Sequence, residues 1–480
     1  MKQLFLSMIV SIILTVSLFA QGVYQITGSE TWSTNKQFNV PVVVKSGGKL
    51  TIEAGVLVEI YYADANANGI GDFKLEVENG GTLIINGTLA NPVVFQPKEV
   101  IPVNNHWQGI VFNSTSTNYR DTIKYVTIKN AYIGVDVSRD IYAVGLKIQN
   151  SYNTALNINN YTSLSSPYFF GIKVDTVYNY GTGIVVSKEG VTLNNLYVQR
   201  ATGVGVELKA GSVTINNSKI LTSGTGIFNN INNTFADQNI VQESYIYANN
   251  KSGVFNKGGY LKLSKDSIAS NTYQGIITSG GTLYGEFLSV RKNNSRGVLV
   301  GASSQVYFNA STVDSNASYG FDICEIDLTT DGAYTTITGT KTGTPKIIAN
   351  LNNIRDNNGS SNAVQIKSCR TTAVSSEYPQ DDFTQNYWYL TENIDGLFSM
   401  DLNGTINYWN WKVSNQANSK FPTNTVTNPT TMLAILSTSG NGSGNIVGLG
   451  ASTSDPTFTQ PSRRGDYTLR WNSSKNYPFV

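Results

Sequence analysis

Apolar and polar positions in this chain alternate over runs of three to five residues, and the pattern returns at a fixed interval. The clearest unit is aliphatic-x-x-Asn-x-x-x-Gly-aliphatic. It occurs as Ile246, Asn249, Gly253, Val254 and again as Ile268, Asn271, Gly275, Ile276. It continues as Val290, Asn293, Gly297, Val298 and then Val313, Asn316, Gly320, Phe321, with glycines 22, 22 and 23 residues apart. Weaker copies run upstream through Gly226, Gly205, Gly183, Ala155 and Gly134, and a downstream copy keeps Ile354, Asn357 and Ala363. The units are rich in Val, Ile, Thr, Tyr and Asn and show no 3.6-residue periodicity, so they predict strands and not helices. A coil of about 22 residues then holds three short strands joined by turns, and successive coils stack about 4.8 Å apart. Inward side chains form a continuous core. Asn249, Asn271, Asn293 and Asn316 should stack as a buried amide ladder, and the glycines should supply left-handed or tight backbone at corners.

The repeat also defines an outward column, two residues after each glycine position: Asp136, Asn157, Val185, Glu207, Phe228, Phe255, Ile277, Leu299, Asp322, Gln365. No two acids in it fall on adjacent coils. Its middle, Phe228 to Leu299, is apolar and predicts a contact surface, covered by a later segment such as 403–435 or by another molecule.

Other stretches carry a family resemblance. "VVVKSGGKLTIEAGVLVEI" (42–60) is similar to the opening coil of secreted bacterial proteins with right-handed parallel β-helix repeats, the pectin-lyase-like fold. "GGTLIINGTLANPVVFQP" and "HWQGIVF" resemble the second and third coils of that family. "NYWYLTENIDGLF" (386–398) resembles its closing segment, with Tyr389 where a glycine is usual, and "DPTFTQPSRRGDYTLRW" (455–471) resembles its terminal strand. The resemblance implies an all-β, single-stranded right-handed parallel β-helix over 21–400. An irregular C-terminal tail, 401–480, would pack on it as a cap. This fold hosts lyases, hydrolases, epimerases, adhesins and scaffolds, so it does not choose among them.

Residues 1–20 read as a signal peptide: Lys2, an apolar run over 4–19, then Ala20. An uncleaved anchor is the alternative, although Ser7, Ser11, Thr15 and Ser17 interrupt the run. No second apolar stretch is long enough to span a membrane. The expected location is therefore secreted, extracellular or cell-surface, with the periplasm also open. Lys and Arg total 34 and Asp and Glu 32, which gives no electrostatic case for nucleic acid. Two cysteines, Cys324 and Cys369, fall on neighbouring coils about two or three residues out of line. They read equally as a disulfide across an irregular loop or as two thiols.

Candidate chemistry is sparse. The enzyme motifs Asn-Thr-Asp, Gly-His-Gly and Asp-Pro-His do not occur, and no catalytic residue is assigned. Asp381-Asp382 resembles the double aspartate of pectin hydrolases only as a dipeptide, and His106, the single histidine, reads as a solvated or capping residue. Asp64, Asn66, Asn68, Ile70 and Asp72 fit an Asp-x-Asn-x-Asn-Gly calcium loop, with Leu75 where the twelfth-position Glu would stand. The same stretch also reads as a polar turn between coils. Tyr408, Trp409 and Trp411 form an aromatic cluster suited to sugar stacking or to packing of the tail. Together these features point to a secreted or cell-surface protein with an adhesion, binding or scaffold role and polysaccharide or cell-surface partners. A lyase-type polysaccharide enzyme and a carbohydrate-binding module are the alternatives, and the oligomeric state is left open.

Overall fold

The structure, a computed structural model, describes residues 22–113, 121–162 and 167–324, and beyond these 328, 343, 345–350, 352–359, 364–369, 381–383, 386, 398–400 and 406–407. Residues 1–20, expected to be a signal peptide, and the cluster Tyr408, Trp409, Trp411 lie outside the described residues. The chain is an all-β parallel solenoid with turns of about 23 residues. It divides into two compact units, 1–203 and 204–480.

In the first unit each coil adds one strand to each of three parallel ladders. The coil of Val42–Val44, Lys49–Glu53 and Leu57–Ile60 is preceded by a complete one, Tyr24–Ile26, Ser29–Trp32 and Lys36–Phe38. The stretch expected to open the stack is therefore its second coil. Alternation decides which side chains enter the core: Leu50, Ile52, Leu75, Val77, Leu83, Ile85 and Phe95 are fully buried, while the residues between them face outward. Each fully buried aliphatic side chain is worth about 1.5–3 kcal/mol, and a column of them repeats that gain at every rung.

In the second unit the expected repeat becomes two aligned core columns. One runs Ile227, Val254, Ile276, Val298, Phe321, Ile366 and the other Ile220, Ile246, Ile268, Val290, Val313, Ile354. The amide ladder forms between them. Asn271 Oδ1 accepts from both the backbone N (3.0 Å) and Nδ2 (3.0 Å) of Asn249. Asn293, Asn316 and Asn357 repeat this double contact rung by rung.

The repeat glycines meet the tight half of the expectation and not the left-handed half. The left-handed corner is held by the residue before each ladder asparagine: Ala248, Ser270, Lys292, Ser315 and Asp356, with φ of 52–55°. The repeat glycines are needed because space is closed: a Cβ on Gly253 would lie 2.7 Å from Gly275 O, Asn271 Nδ2 and Ile268 Cγ2 alike. A second polar ladder lines another corner. Ser218 N donates to Ser244 Oγ, Ser244 N to Asp266 Oδ1, Ser311 N to Asn352 Oδ1 and Asn352 N to Asn386 Oδ1.

Two register expectations are corrected. Gln365, not Ala363, occupies the position matching Gly320, because the turn at Asn357–Gly359 and the residues after it lengthen that coil. Gln365 thus leaves the outward column, where Lys367 follows Asp322, and instead ends the amide ladder, accepting from Asn357 N and Nδ2. For the same reason Cys324 and Cys369 are not offset but are direct register partners.

Candidate ligand-binding face

The first ladder of the first unit presents two outward columns, two residues apart along each strand. One runs Glu76, Val111, Asp136, Asn157, Val185. The other runs Glu78, Asn113, Ser138, Asn159, Ser187, each amide hydrogen-bonded one rung back. Alternation keeps these side chains out of the core, and most of them are half-buried, neither sealed in nor loose in solvent.

Their polar groups interlock. Asn157 Nδ2 and Asn159 Nδ2 both donate to Asp136 Oδ1, at 2.9 and 2.7 Å. Asn157 Nδ2 also donates to Asn159 Oδ1 (3.0 Å), and Asn159 Nδ2 to Ser138 Oγ (2.9 Å). Glu76 accepts from Asn113 Nδ2 (2.6 Å) and pairs with Lys74 (2.8 Å), and Lys45 pairs with Glu78 (2.6 Å). At the far side Tyr161 donates to Asp140 Oδ1 (3.2 Å), with Lys188 Nζ 5.5 Å from its ring centroid. Burial, reinforced by Asp140, pushes the Tyr161 hydroxyl far above its ordinary range.

The face rests on a buried cation. Arg139 reaches under the rung ends, donating to the carbonyls of Val77, Glu78, Gly81 and Asn113 and to Asp121 Oδ2 (3.4 Å). Burial drives the Asp121 carboxyl up to about 6, against the opposing pull of Leu83 N and of Arg139. Carbonyls that would otherwise end in an apolar interior are thereby satisfied, and the columns above them are held in place.

Glu76 and Asp136 lie two rungs apart in one column, about 10 Å at ladder spacing. Burial of Glu76 opposes its ionisation, but Lys74 and Asn113 as hydrogen-bond donors, with the charges of Lys74 and Lys45, hold it below its usual range. A carboxylate so held is a poor proton donor at neutral pH, whereas two-carboxylate glycoside cleavage needs one acid kept protonated. The outward column expected from sequence began at Asp136 and missed Glu76. The signal that would have found it is the offset introduced by the corner insert at 61–73.

Other candidate residues have different settings. His106 is buried and not solvated. Its Nε2 lies 3.0 Å from Ile60 O and 2.7 Å from Glu99 Oε2, which gives the capping role expected of it. Burial lowers its pKa, with Glu99 opposing. Asp381 and Asp382 are in a ladder strand; Asp382 pairs with Ile348 and Asp381 with Ile406.

The loop 64–72 joins the third ladder to the first and closes on itself. Asp64 accepts from the amides of Asn68 (3.0 Å) and Gly69 (2.8 Å), and Asp72 from Ala65 N (2.6 Å) and Asn66 Nδ2 (3.1 Å). Asn66 Oδ1 accepts from Asn68 N and Asn68 Oδ1 from Ile70 N, while Gly69 is left-handed at φ 80°. The loop thus brings Asp64, Asn66, Asn68 and Asp72 together. Among the described residues no three His, Cys, Asp or Glu side chains gather around one point, so a cation there would depend on amide and carbonyl oxygens as well.

The apolar column of the second unit is covered. Phe255, Ile277, Leu299 and Cys324 pack with Leu328, all buried, and Phe228 is partly buried at the edge. Leu328 N donates to Ser279 Oγ (2.9 Å). Among the described residues the cover is Leu328; of 403–435 only Ile406–Asn407, in the second ladder, is among the described residues.

Residues 24–140 match the family described as a pectate-lyase like beta helix domain, which agrees with the fold. No curated protein is similar to the chain in sequence. Among solved structures it is similar to the periplasmic alginate epimerase AlgG (15% identity, 80% of each chain, TM-score 0.36). It is also similar to the A-module of a mannuronan C-5 epimerase from Azotobacter vinelandii (13% identity, 75% of this chain and 88% of that one, TM-score 0.36). A third is endopolygalacturonase I from Stereum purpureum (12% identity, 67% and 99%, TM-score 0.32). Similarity at this level assigns no site residue. Among the described residues no helix is long and apolar enough to cross a membrane.

Proposed function

We propose that this chain is a secreted or cell-surface solenoid that binds polysaccharide along the polar face of its first unit, in an adhesion or scaffold role. The observation that carries the reading is the interlocked set Asp136, Ser138, Asn157 and Asn159. Carboxylate and amide groups repeated at rung spacing, held by one another and by the rungs beneath, are already ordered before a ligand arrives. Little side-chain entropy then remains to be lost on binding. Planar carboxylates and carboxamides pair well with neighbouring hydroxyls on a sugar ring, and a ladder repeats that pairing along a chain of sugars. Leader residues 1–20 support the location. Calcium enters the same proposal as a structural ion of the 64–72 loop, held by Asp64, Asn66, Asn68, the Ile70 carbonyl and Asp72, which stiffens the corner leading into Lys74–Val77.

Glu76 and Asp136 in one column favour a second reading, a polysaccharide-cleaving enzyme, and Lys74 and Lys45 would stabilise an anion there. The test is retention of the purified chain in gels containing acidic or neutral polysaccharides, with absorbance of unsaturated products and reducing ends followed in parallel. Retention without product supports the binding reading. Product that disappears in Glu76→Gln and Asp136→Asn supports the enzyme, and neither retention nor product refutes both.

A further inference from the structure

We propose that Cys324 and Cys369 are joined by a disulfide that clamps the longest coil among the described residues of the second unit. The two are register partners at the ends of neighbouring parallel strands, Phe321–Cys324 and Ile366–Cys369. Ladder spacing puts such partners about 4.8 Å apart at Cα, inside the roughly 4.4–6.8 Å range that a disulfide spans. The Cβ atoms of a bridge stand about 3.5–4.5 Å apart, so the pair must close from rung spacing by about 0.3–1.3 Å, and both residues sit where their strands end. The chain contains two cysteines, so the pairing has one form within a molecule.

The place in the fold gives the bridge work to do. Earlier rungs of this ladder are 22, 22 and 23 residues apart, from Val254 through Ile276 and Val298 to Phe321, whereas Phe321 to Ile366 takes 45. That excursion carries Leu328, which seals the apolar column over Phe255, Ile277 and Leu299. Cross-linking the two ends of the longest excursion removes the most freedom from the unfolded chain. In the step itself each thiol gives up its hydrogen, and one S–S bond forms. The two electrons and two protons pass to an oxidised dithiol catalyst of the secretory route, whose own S–S bond breaks to two thiols.

The experiment uses the full mature chain, made in an oxidising compartment and purified without reductant. Denatured, alkylated and digested before any reduction, it should yield a single cross-linked peptide pair joining Cys324 to Cys369, and the intact protein should be two hydrogens lighter than after reduction. Dithiothreitol should lower the thermal midpoint. Cys369→Ala and the double variant Cys324→Ala/Cys369→Ala should start at that lower midpoint and not respond to dithiothreitol. Alkylation of both cysteines without reductant, even after incubation with oxidised glutathione, overturns the proposal. So does a wild-type midpoint indifferent to dithiothreitol.

Discussion

Asn271→Ala strikes the second unit at its most repetitive contact. The side chain is fully buried, and its Oδ1 accepts two hydrogen bonds from Asn249 while its Nδ2 donates one to Asn293 Oδ1 at 2.8 Å. Asn293 Oδ1 keeps the backbone N of residue 271 (3.1 Å), so that oxygen is not orphaned. The backbone N of Asn249 is orphaned, and Asn249 Nδ2 keeps only a 3.5 Å contact to Ile220 O. Two buried donors without acceptors cost about 1–3 kcal/mol each, and the small cavity adds to this, for a loss of about 3–5 kcal/mol. Chemical denaturation of the full chain, read by circular dichroism, measures it. Hydrogen exchange at Asn249 and Asn293 tests whether the loss is local to the ladder, as expected of a structure whose coils touch only their neighbours. A loss below about 1 kcal/mol would show that the ladder is incidental to stability. Lys257→Ala, at an exposed position of the same unit, is the control and should change stability by less than about 0.5 kcal/mol.

Asp266 occupies the second polar ladder, and burial raises its pKa to about 8 although Ser244 N and Ser264 N pull it down. An acid raised on folding from 3.8 gives stability that is full below that value and is lost as pH climbs towards 8. Asp266→Asn keeps the Oδ1 acceptor for Ser244 N without the charge, as Asn352 does further along the same ladder, while its Nδ2 replaces the oxygen that accepts from Ser264 N (3.1 Å). It should raise the thermal midpoint at pH 7–8 by an amount reflecting a few kcal/mol and flatten the dependence between pH 4 and 8; a variant less stable at pH 8 contradicts this. Leu328→Asp sets a charge against Phe255, Ile277 and Leu299, so dye binding to apolar surface should increase and limited proteolysis should open the chain after Cys324; unchanged proteolysis would mean that the cover does not depend on this side chain. Calcium added after chelation should raise the thermal midpoint of wild type and leave that of Asp64→Ala/Asp72→Ala unmoved; equal responses would remove calcium from the account.

Fold was legible wherever the repeat kept its length. Asn249, Asn271, Asn293 and Asn316 could be aligned from sequence because each corner demands the same buried amide, and Phe255, Ile277 and Leu299 fell into one column by the same count. Legibility failed where a coil grew. The extra turn at Asn357–Gly359 displaced Gln365 and Cys369 from their expected positions, and the insert at 61–73 hid Glu76 from the column containing Asp136. For the glycines the sequence left two roles open, positive φ or a tight approach, and Gly253 is required by the second, the close approach of Gly275 O. Leu328 could not be foreseen, since the 45-residue step from Phe321 to Ile366 breaks the count of about 22. Arg139 also escaped notice because its role depends on carbonyls 26 to 62 residues away.

Calorimetric titration of whichever polysaccharide the gels retain, against wild type, Asp136→Ala, Asn157→Ala and the second-ladder variant Tyr284→Ala/Tyr307→Ala, tests the binding face most directly. The account predicts that Asp136→Ala and Asn157→Ala each weaken binding by about tenfold, near 1.4 kcal/mol, with folding intact, and that Tyr284→Ala/Tyr307→Ala binds as wild type does. Wild-type affinity in Asp136→Ala and Asn157→Ala, with binding lost in the tyrosine variant, would place the ligand on another face and contradict it.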